Sequence, residues 1–277
     1  MTVEPIISGF ARITEESIRE SSYVFIDTND GIANLIDYLD GLPAWPPSLY
    51  VDLEGVNLSR NGTISVIQIY VLPLDMTYLI DVCTLQEETF SQPSAMGRTL
   101  KDIFESPSVP KVFFDVRSDS DALYGHFGIN LGGVQDVQLM ELATRNFPKD
   151  LVHGLEKCID RDISMSSSEK QAWKIRKENG RKLFAPGQGG SYEIWNTRPL
   201  PADIMQYCVQ DVKILPRLWQ RYRRSMSDRW SVVVKNEIES RIIDSQSPDY
   251  IEKGRLRTLA PCGWEHSLSL RNRTRWA

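Results

Sequence analysis

The chain reads as an α/β protein: a mixed β-sheet flanked by helices, followed by a helical and irregular C-terminal extension. Three observations predict this. β-Branched and aromatic runs crowd the first third of the chain, and segments of helical period dominate beyond residue 138. Between them the two patterns alternate, which favours a sheet with helices packed on it.

Taken in order, Tyr23 to Asp27 predicts a short strand and 30–40 a helix. The run from Ser48 to Val56 predicts a strand. Asn61-Gly62 is a strong turn signal between strand-like runs, so a hairpin is expected there, with strands at about 63–72 and 77–82. A helix near 94–106 precedes a buried strand at 111–116 and a helix from 118. A short strand near 133–137 leads into helices at about 138–146, 151–159, 168–180 and 202–222. Residues 229–246 predict one more amphipathic helix, and 254–277 a tail packed across the domain.

Within this frame, acidic side chains fall where they do not serve a core. Asp52 and Glu54 are two apart on a strand and therefore share a face. A pair of half-buried carboxylates repels unless a cation lies between them or one takes a proton. Tyr207 and Asp211 are four apart in a helical pattern whose entrance is marked by Pro199 and Pro201, which places them on one helical face. Between these pairs, the strand 111–116 passes into a helix through Asp115, Asp119 and Asp121, and spacing alone leaves all three open. Asp119 falls in the first helical turn, where its ordinary role is to stabilise the helix N-terminus. Oxygen ligands without Cys or His partners favour hard cations such as Mg²⁺ or Mn²⁺. The pattern points to metal-assisted phosphoryl chemistry.

Composition bounds the rest. With 277 residues, 41% hydrophobic and 25% charged, the chain can bury one good core. A net charge of −5 argues against a protein that coats nucleic acid generally. Basic charge is local: Lys170, Lys174, Arg176, Lys177, Arg181 and Lys182 lie in one segment, 170–182, interleaved with or followed by Trp173, Phe184, Tyr192 and Trp195. Aromatics beside a basic groove suit a single strand; a solvated helix with core anchors is the competing explanation. Trp173, Lys174, Arg176, Lys177, Arg181 and Lys182 are the candidate substrate contacts.

Residues 185–201 are rich in Gly and turn formers, lack the GK[ST] of a P-loop, and are expected to form a mobile loop near the cleft. Ser168 is a candidate helix cap. Cys83, Cys158, Cys208 and Cys262 form no CxxC pair, and His126, His153 and His266 show no zinc spacing, so buried reduced thiols are expected. No apolar run is long enough to span a bilayer, and the first residues lack the basic start and apolar core of a signal peptide. The expectation is an intracellular protein, nuclear or cytoplasmic, without membrane contact.

VDLEGVNLSRNGTISVIQIYV, KVFFDVRSDSDALYGHFGI with GVQDVQLMELA, and YCVQDV together resemble the three motifs of the DEDDy branch of the DnaQ-like, ribonuclease H-fold 3′-5′ exonucleases. The phrasing is most similar to the ribonuclease D and Egalitarian or Exd1-like group. The resemblance spans about residues 20–222, implying an exonuclease domain over 1–222 and an appended helix and tail over 223–277.

Residue by residue, it implies that the catalytic set is Asp52, Glu54, Asp119, Tyr207 and Asp211, the carboxylates binding two Mg²⁺ or Mn²⁺ ions about 3.5–4 Å apart. Asp52 would bridge the ions, Glu54 and Asp211 complete one site, and Asp119 hold the second partly through water. Tyr207 would orient the attacking water. The sister branch needs histidine five residues before the last aspartate, where this chain has Gln206. Asp136 corresponds to a helix cap rather than a ligand. The implied reaction releases nucleoside 5′-monophosphates from the 3′ end of RNA or single-stranded DNA. The alternative is a catalytically silent nucleic-acid-binding adaptor, as in some Exd1-like relatives, which loss of an acidic ligand would mark.

Overall fold

A computed structural model describes residues 23–251 and 254–264. The N-terminal segment and the arginines at 271, 273 and 275 lie outside the described residues. In chain order the larger elements are β1 (Tyr23–Ile26), α1 (Asn29–Leu39), β2 (Leu49–Glu54), β3 (Val66–Val71), β4 (Met76–Asp81) and α2 (Leu100–Glu105). They continue with β5 (Lys111–Phe113), α3 (Arg117–Phe127), β6 (Val134–Asp136), α4 (Val137–Thr144) and α5 (Leu155–Asp162). The last are α6 (Ser167–Phe184), α7 (Ala202–Lys213), α8 (Leu215–Ser225) and α9 (Asp228–Gln246).

The strands form one six-stranded sheet in the order β1-β4-β3-β2-β5-β6. β2, β3 and β4 pair antiparallel as a meander, while β1 joins β4, β5 joins β2, and β6 joins β5 in parallel. The sheet is mixed, as expected, because loops link β2, β3 and β4 while helices lie between β1 and β2, β4 and β5, and β5 and β6. Its main core gathers Ile32 and Leu35 of α1, Leu49, Val51 and Leu53 of β2, and Leu123 of α3. A smaller cluster holds Trp195, Ile204, Tyr207 and Cys208 against Val66 and Leu79. α7 therefore lies across β2, β3 and β4.

Several boundaries differ from the sequence expectation for identifiable reasons. Asn61-Gly62 is not a two-residue hairpin turn: residues 55–65 form a loop, and Gly62 backs onto Asn57, where a Cβ would meet the carbonyl oxygen at 2.1 Å. The helix expected over 94–106 begins only after Thr99, whose hydroxyl accepts from the Asp102 N–H while the Asp102 carboxylate accepts from the Thr99 N–H. The helix expected over 151–159 starts at Leu155, because Val152 N–H instead donates to Thr258 O of the C-terminal segment. Ser166, not Ser168, caps α6, which runs on to Phe184. The single helix expected over 202–222 divides at Ile214, since Pro216 has no N–H to continue the ladder.

α9 packs against α3, α4 and β6. The segment after it returns to the domain, with Ala260 N–H donating to Asp150 O and Trp264 set edge-on to Trp230.

Candidate active site

β2 delivers Asp52 and Glu54 to the side of the sheet that α7 covers. One turn apart on α7, Tyr207 and Asp211 face them. Ligand oxygens of Asp52, Glu54 and Asp211 all lie within 4.8 Å of one another. Three elements of distant sequence thus meet, the third being the first turn of α3 with Asp119, which is 4% exposed.

The three aspartates that spacing left open are separated by their partners. Asp115 is gripped by the Arg117 guanidinium at 2.6 and 2.7 Å. Asp121 accepts from the backbone and side chain of Arg60. Asp119 alone of the three has a buried oxygen, Oδ1, without a hydrogen-bond partner. Asp136 supports this arrangement as the N-cap of α4, accepting from Gln138 N–H at 2.9 Å and from Asp115 N–H and Val116 N–H across the strand ends. Arg241 of α9 neutralises it at 2.8 Å. The turn that launches α3, and with it Asp119, is thereby fixed from behind.

Electrostatics at the site are those of crowded acids. Burial first, then the charge of Asp211, pushes Asp52 up to about 7. Glu54 is raised well above the carboxylate range by burial and then by Asp52, and Asp119 likewise. Burial and the adjacent Asp211 raise Tyr207 well above the ordinary phenol, so it stays a neutral donor near pH 7. Asp211 Oδ1, like Asp119 Oδ1, is buried without a partner. Buried oxygens are rarely left so. Partnerless oxygens beside a carboxylate cluster are what an oxygen-ligated divalent cation would satisfy, so the residues present fit such an ion.

The basic helix α6 forms the opposite wall, and its residues divide. Lys177 pairs with Asp211 and its ammonium lies 4.0 Å from the Tyr207 ring centroid. Arg181 and Phe184 follow on the same face, lining a groove of about 660 Å³ together with Lys157, Asp160 and Tyr207. Lys174 is exposed and pairs with Asp160. Arg176 and Lys182 are exposed but turned away, about 100° and 140° around the helix from Lys177. Trp173 is 6% exposed within the main core, and Trp195 is 1% exposed, so neither indole offers a stacking face; Phe184 and Tyr192 remain accessible. A helical tryptophan can anchor a core as readily as it can bind a base, and burial decides between them.

The segment expected to be a mobile loop is fastened. Besides the buried Trp195, Arg198 donates to Asp81 and Asn196 accepts from Ser65 Oγ at 2.7 Å. Of the four cysteines, all unpaired, only Cys158 and Cys208 are buried. Lys157 and Asp160 of the groove were invisible to motif reading, since a single Lys or Asp in an amphipathic helix carries no signal.

Tertiary structure also collects Glu141, His153 and Cys158, with ligand atoms within 4.8 Å. Arg145 occupies both Glu141 oxygens, and burial pushes the Cys158 thiol up to about 12. A guanidinium at the centre and a protonated thiol make a poor cation site.

A mixed sheet that carries paired carboxylates on a central strand, facing a tyrosine and aspartate on a crossing helix, defines a nuclease of the ribonuclease H-like class. The chain belongs to the 3′-5′ exonuclease family, whose model matches residues 23–226. It is similar to the mouse piRNA biogenesis protein EXD1, 26% identical over 191 residues, covering 67% of this chain and 31% of that protein. The chain therefore spans under a third of that curated relative. In structure it is similar to Trypanosoma brucei RNase D in its GMP complex, with a TM-score of 0.67 at 18% identity, over 89% of this chain and 71% of that one. Escherichia coli RNase D, an exoribonuclease, superposes with a TM-score of 0.53 at 20% identity over 82% and 51% of the two chains. Among the described residues, no helix is long and apolar enough to cross a membrane.

Proposed function

We propose that this protein is a divalent-cation-dependent exonuclease that removes nucleotides from the 3′ end of RNA or single-stranded DNA, releasing nucleoside 5′-monophosphates. One observation carries the reading: the partnerless buried oxygens of Asp119 and Asp211 flank the carboxylates of Asp52 and Glu54. Asp52, Glu54 and Asp211 would hold one cation, and Asp119 with Asp52 a second. Such ions, Mg²⁺ or Mn²⁺, supply Lewis acidity toward the phosphate and a lowered pKa for water.

The chain's own groups do the rest. Tyr207, neutral because its pKa is raised, offers a hydroxyl that can hold a water in line with a phosphate. Phe184 and Arg181 line the groove where a terminal nucleotide would lie, the ring meeting a base and the guanidinium a phosphate. T. brucei RNase D has been captured with RNA U12, at a TM-score of 0.65 and 18% identity over 89% of this chain and 78% of that one. This supports RNA as the first substrate to test. An adaptor without catalysis would be marked by a missing carboxylate, and all four are present.

The test incubates end-labelled RNA and DNA oligonucleotides, each with a free or blocked 3′ end, with Mg²⁺, Mn²⁺ or EDTA. Wild type should shorten free 3′ ends stepwise with either metal, and Asp211→Ala should not. Equal RNA binding by both proteins, with no cleavage under any metal, would establish the adaptor instead.

A further inference from the structure

α6 presents one continuous stripe to α7: Trp173, Lys177, Gly180 and Phe184, spaced so that all lie on one helical face. Gly180 meets the Tyr207 ring directly, and Phe184 sits edge-on to it with centroids 5.1 Å apart. Lys177 occupies the one position on this stripe from which a long side chain reaches the carboxylates. Its side chain is 14% exposed, and its ammonium donates to Asp211 Oδ2. It lowers the proton affinity of both Asp52 and Glu54, so its charge is felt beyond Asp211. The other lysines on α6 with a pairing partner, Lys170 and Lys174, reach the surface Asp160.

We infer that Lys177 is a built-in competitor for the divalent cation, whose ammonium sets the metal concentration at which the site loads and then serves the substrate phosphate. This rests on the metal-dependent reading of the site proposed above. The competition follows from the geometry. Asp211 Oδ2 accepts from the ammonium, and a divalent ion held by Asp52, Glu54 and Asp211 must enter within a few ångströms of that same charge. Like charges so close, in a half-buried site, repel strongly. Either the ammonium leaves Oδ2 or the ion binds weakly beside it; in both cases the lysine opposes metal loading.

The displaced ammonium has a place to go. It already lies over the Tyr207 ring, an arrangement favourable for a cation, and it lines the groove with Lys157 and Arg181. A phosphate drawn to that groove would take the charge that Asp211 gives up. Metal loading and substrate binding would then be linked through one side chain.

An orienting role for Lys177 makes the opposite prediction. If the lysine chiefly holds Asp211 in a productive rotamer, removing it weakens metal binding. Lys177→Met keeps the stem that packs on Tyr207 and deletes the charge; Lys177→Arg keeps the charge. Mn²⁺ binding is measured by isothermal titration on the full chain without nucleic acid, with circular dichroism melts to confirm folding. Lys177→Met should bind Mn²⁺ about tenfold more tightly than wild type, and Lys177→Arg should stay near wild type, as expected for one opposing charge. In steady-state cleavage at saturating Mn²⁺, Lys177→Met should raise the KM for an RNA oligonucleotide about tenfold, the loss of one charge-assisted phosphate contact. Unchanged or weaker Mn²⁺ binding in a folded Lys177→Met protein would overturn the competition while leaving the nuclease reading intact. An unchanged KM would overturn the role toward phosphate. Absence of Mn²⁺ binding in every protein, wild type included, would overturn both the metal reading and this inference.

Discussion

Gly180 stands so close to Tyr207 that a methyl group on its Cα would lie 2.6 Å from Cδ2 and 2.8 Å from Cγ of the ring. Real Cβ atoms do not approach that near, so the distance between α6 and the tyrosine is set by the absence of a side chain at this position. Gly180→Ala should displace the ring and lower kcat by at least about tenfold, because small misplacements of a positioning group cost heavily. The melting temperature should move less than the activity does. Alanine favours a helix interior over glycine by about 1 kcal/mol, which offsets part of the steric cost. Steady-state kinetics beside a thermal melt would check it; unchanged kcat would show that the ring is free to move.

Tyr207→Phe removes the hydroxyl and leaves the aromatic contacts with Phe184 and Trp195. The expected result is a fall in kcat of about 10²-fold with KM nearly constant, the pattern of a group that acts on the reacting water. A rise in KM at constant kcat would instead assign the hydroxyl to substrate binding.

Asp119 and Asp121 are two residues apart in the first turns of one helix yet should behave oppositely. Asp119→Asn removes a buried charge that burial and Asp52 oppose, so it should abolish cleavage while keeping or raising the melting temperature. Asp121→Ala strands the Arg60 guanidinium, which also donates to Ser245 O, and should cost about 3 kcal/mol in urea unfolding. Equal stability losses in the two variants would refute the division of roles.

Lys111 opens β5 fully buried, its Nζ donating to Ile103 O at 2.7 Å and Ser106 O at 2.9 Å. Burial depresses its pKa to about 7. Two acceptors match the two N–H groups of the neutral amine, leaving nothing for a third proton. The folded state therefore binds this proton less readily than the unfolded chain does, and the stabilisation is complete above the unfolded pKa of about 10.4 and lost as pH falls through about 7. Compared with Lys111→Met, wild type should gain stability between pH 7 and 9, by at most about 1.4 kcal/mol per pH unit. Urea unfolding at the two pH values gives the difference; a flat difference would mean that the lysine keeps its proton in the folded state.

The α/β class, the order of strands and helices and four of the five candidate residues were legible in one dimension, because strand and helix periods are local and the acidic motifs are short. Asp52 with Glu54, and Tyr207 with Asp211, are each paired by the repeat of a single element. Boundaries were less legible where a distant partner sets them: the start of α5 depends on Thr258, and the cap of α6 on a choice among neighbouring serines. The choice of Asp119 over Asp115 and Asp121 could not be made from spacing, since all three are carboxylates near one helix start. It depends on Arg117, two residues from Asp115, and on Arg60 and Arg241, which come from other parts of the chain.

The sequence by itself determined which side chains can offer oxygen ligands and which elements hold them, because those follow from residue type and backbone period. Only the tertiary structure decided which ones meet. It buried Trp173 as a core anchor, turned Arg176 and Lys182 away, and brought Lys177 to Asp211 across a helix–helix contact. The physical reason is that periodicity fixes a residue's direction around its own element. What it points at depends on how elements pack, and here that is governed by the close approach of α6 to α7 at Gly180.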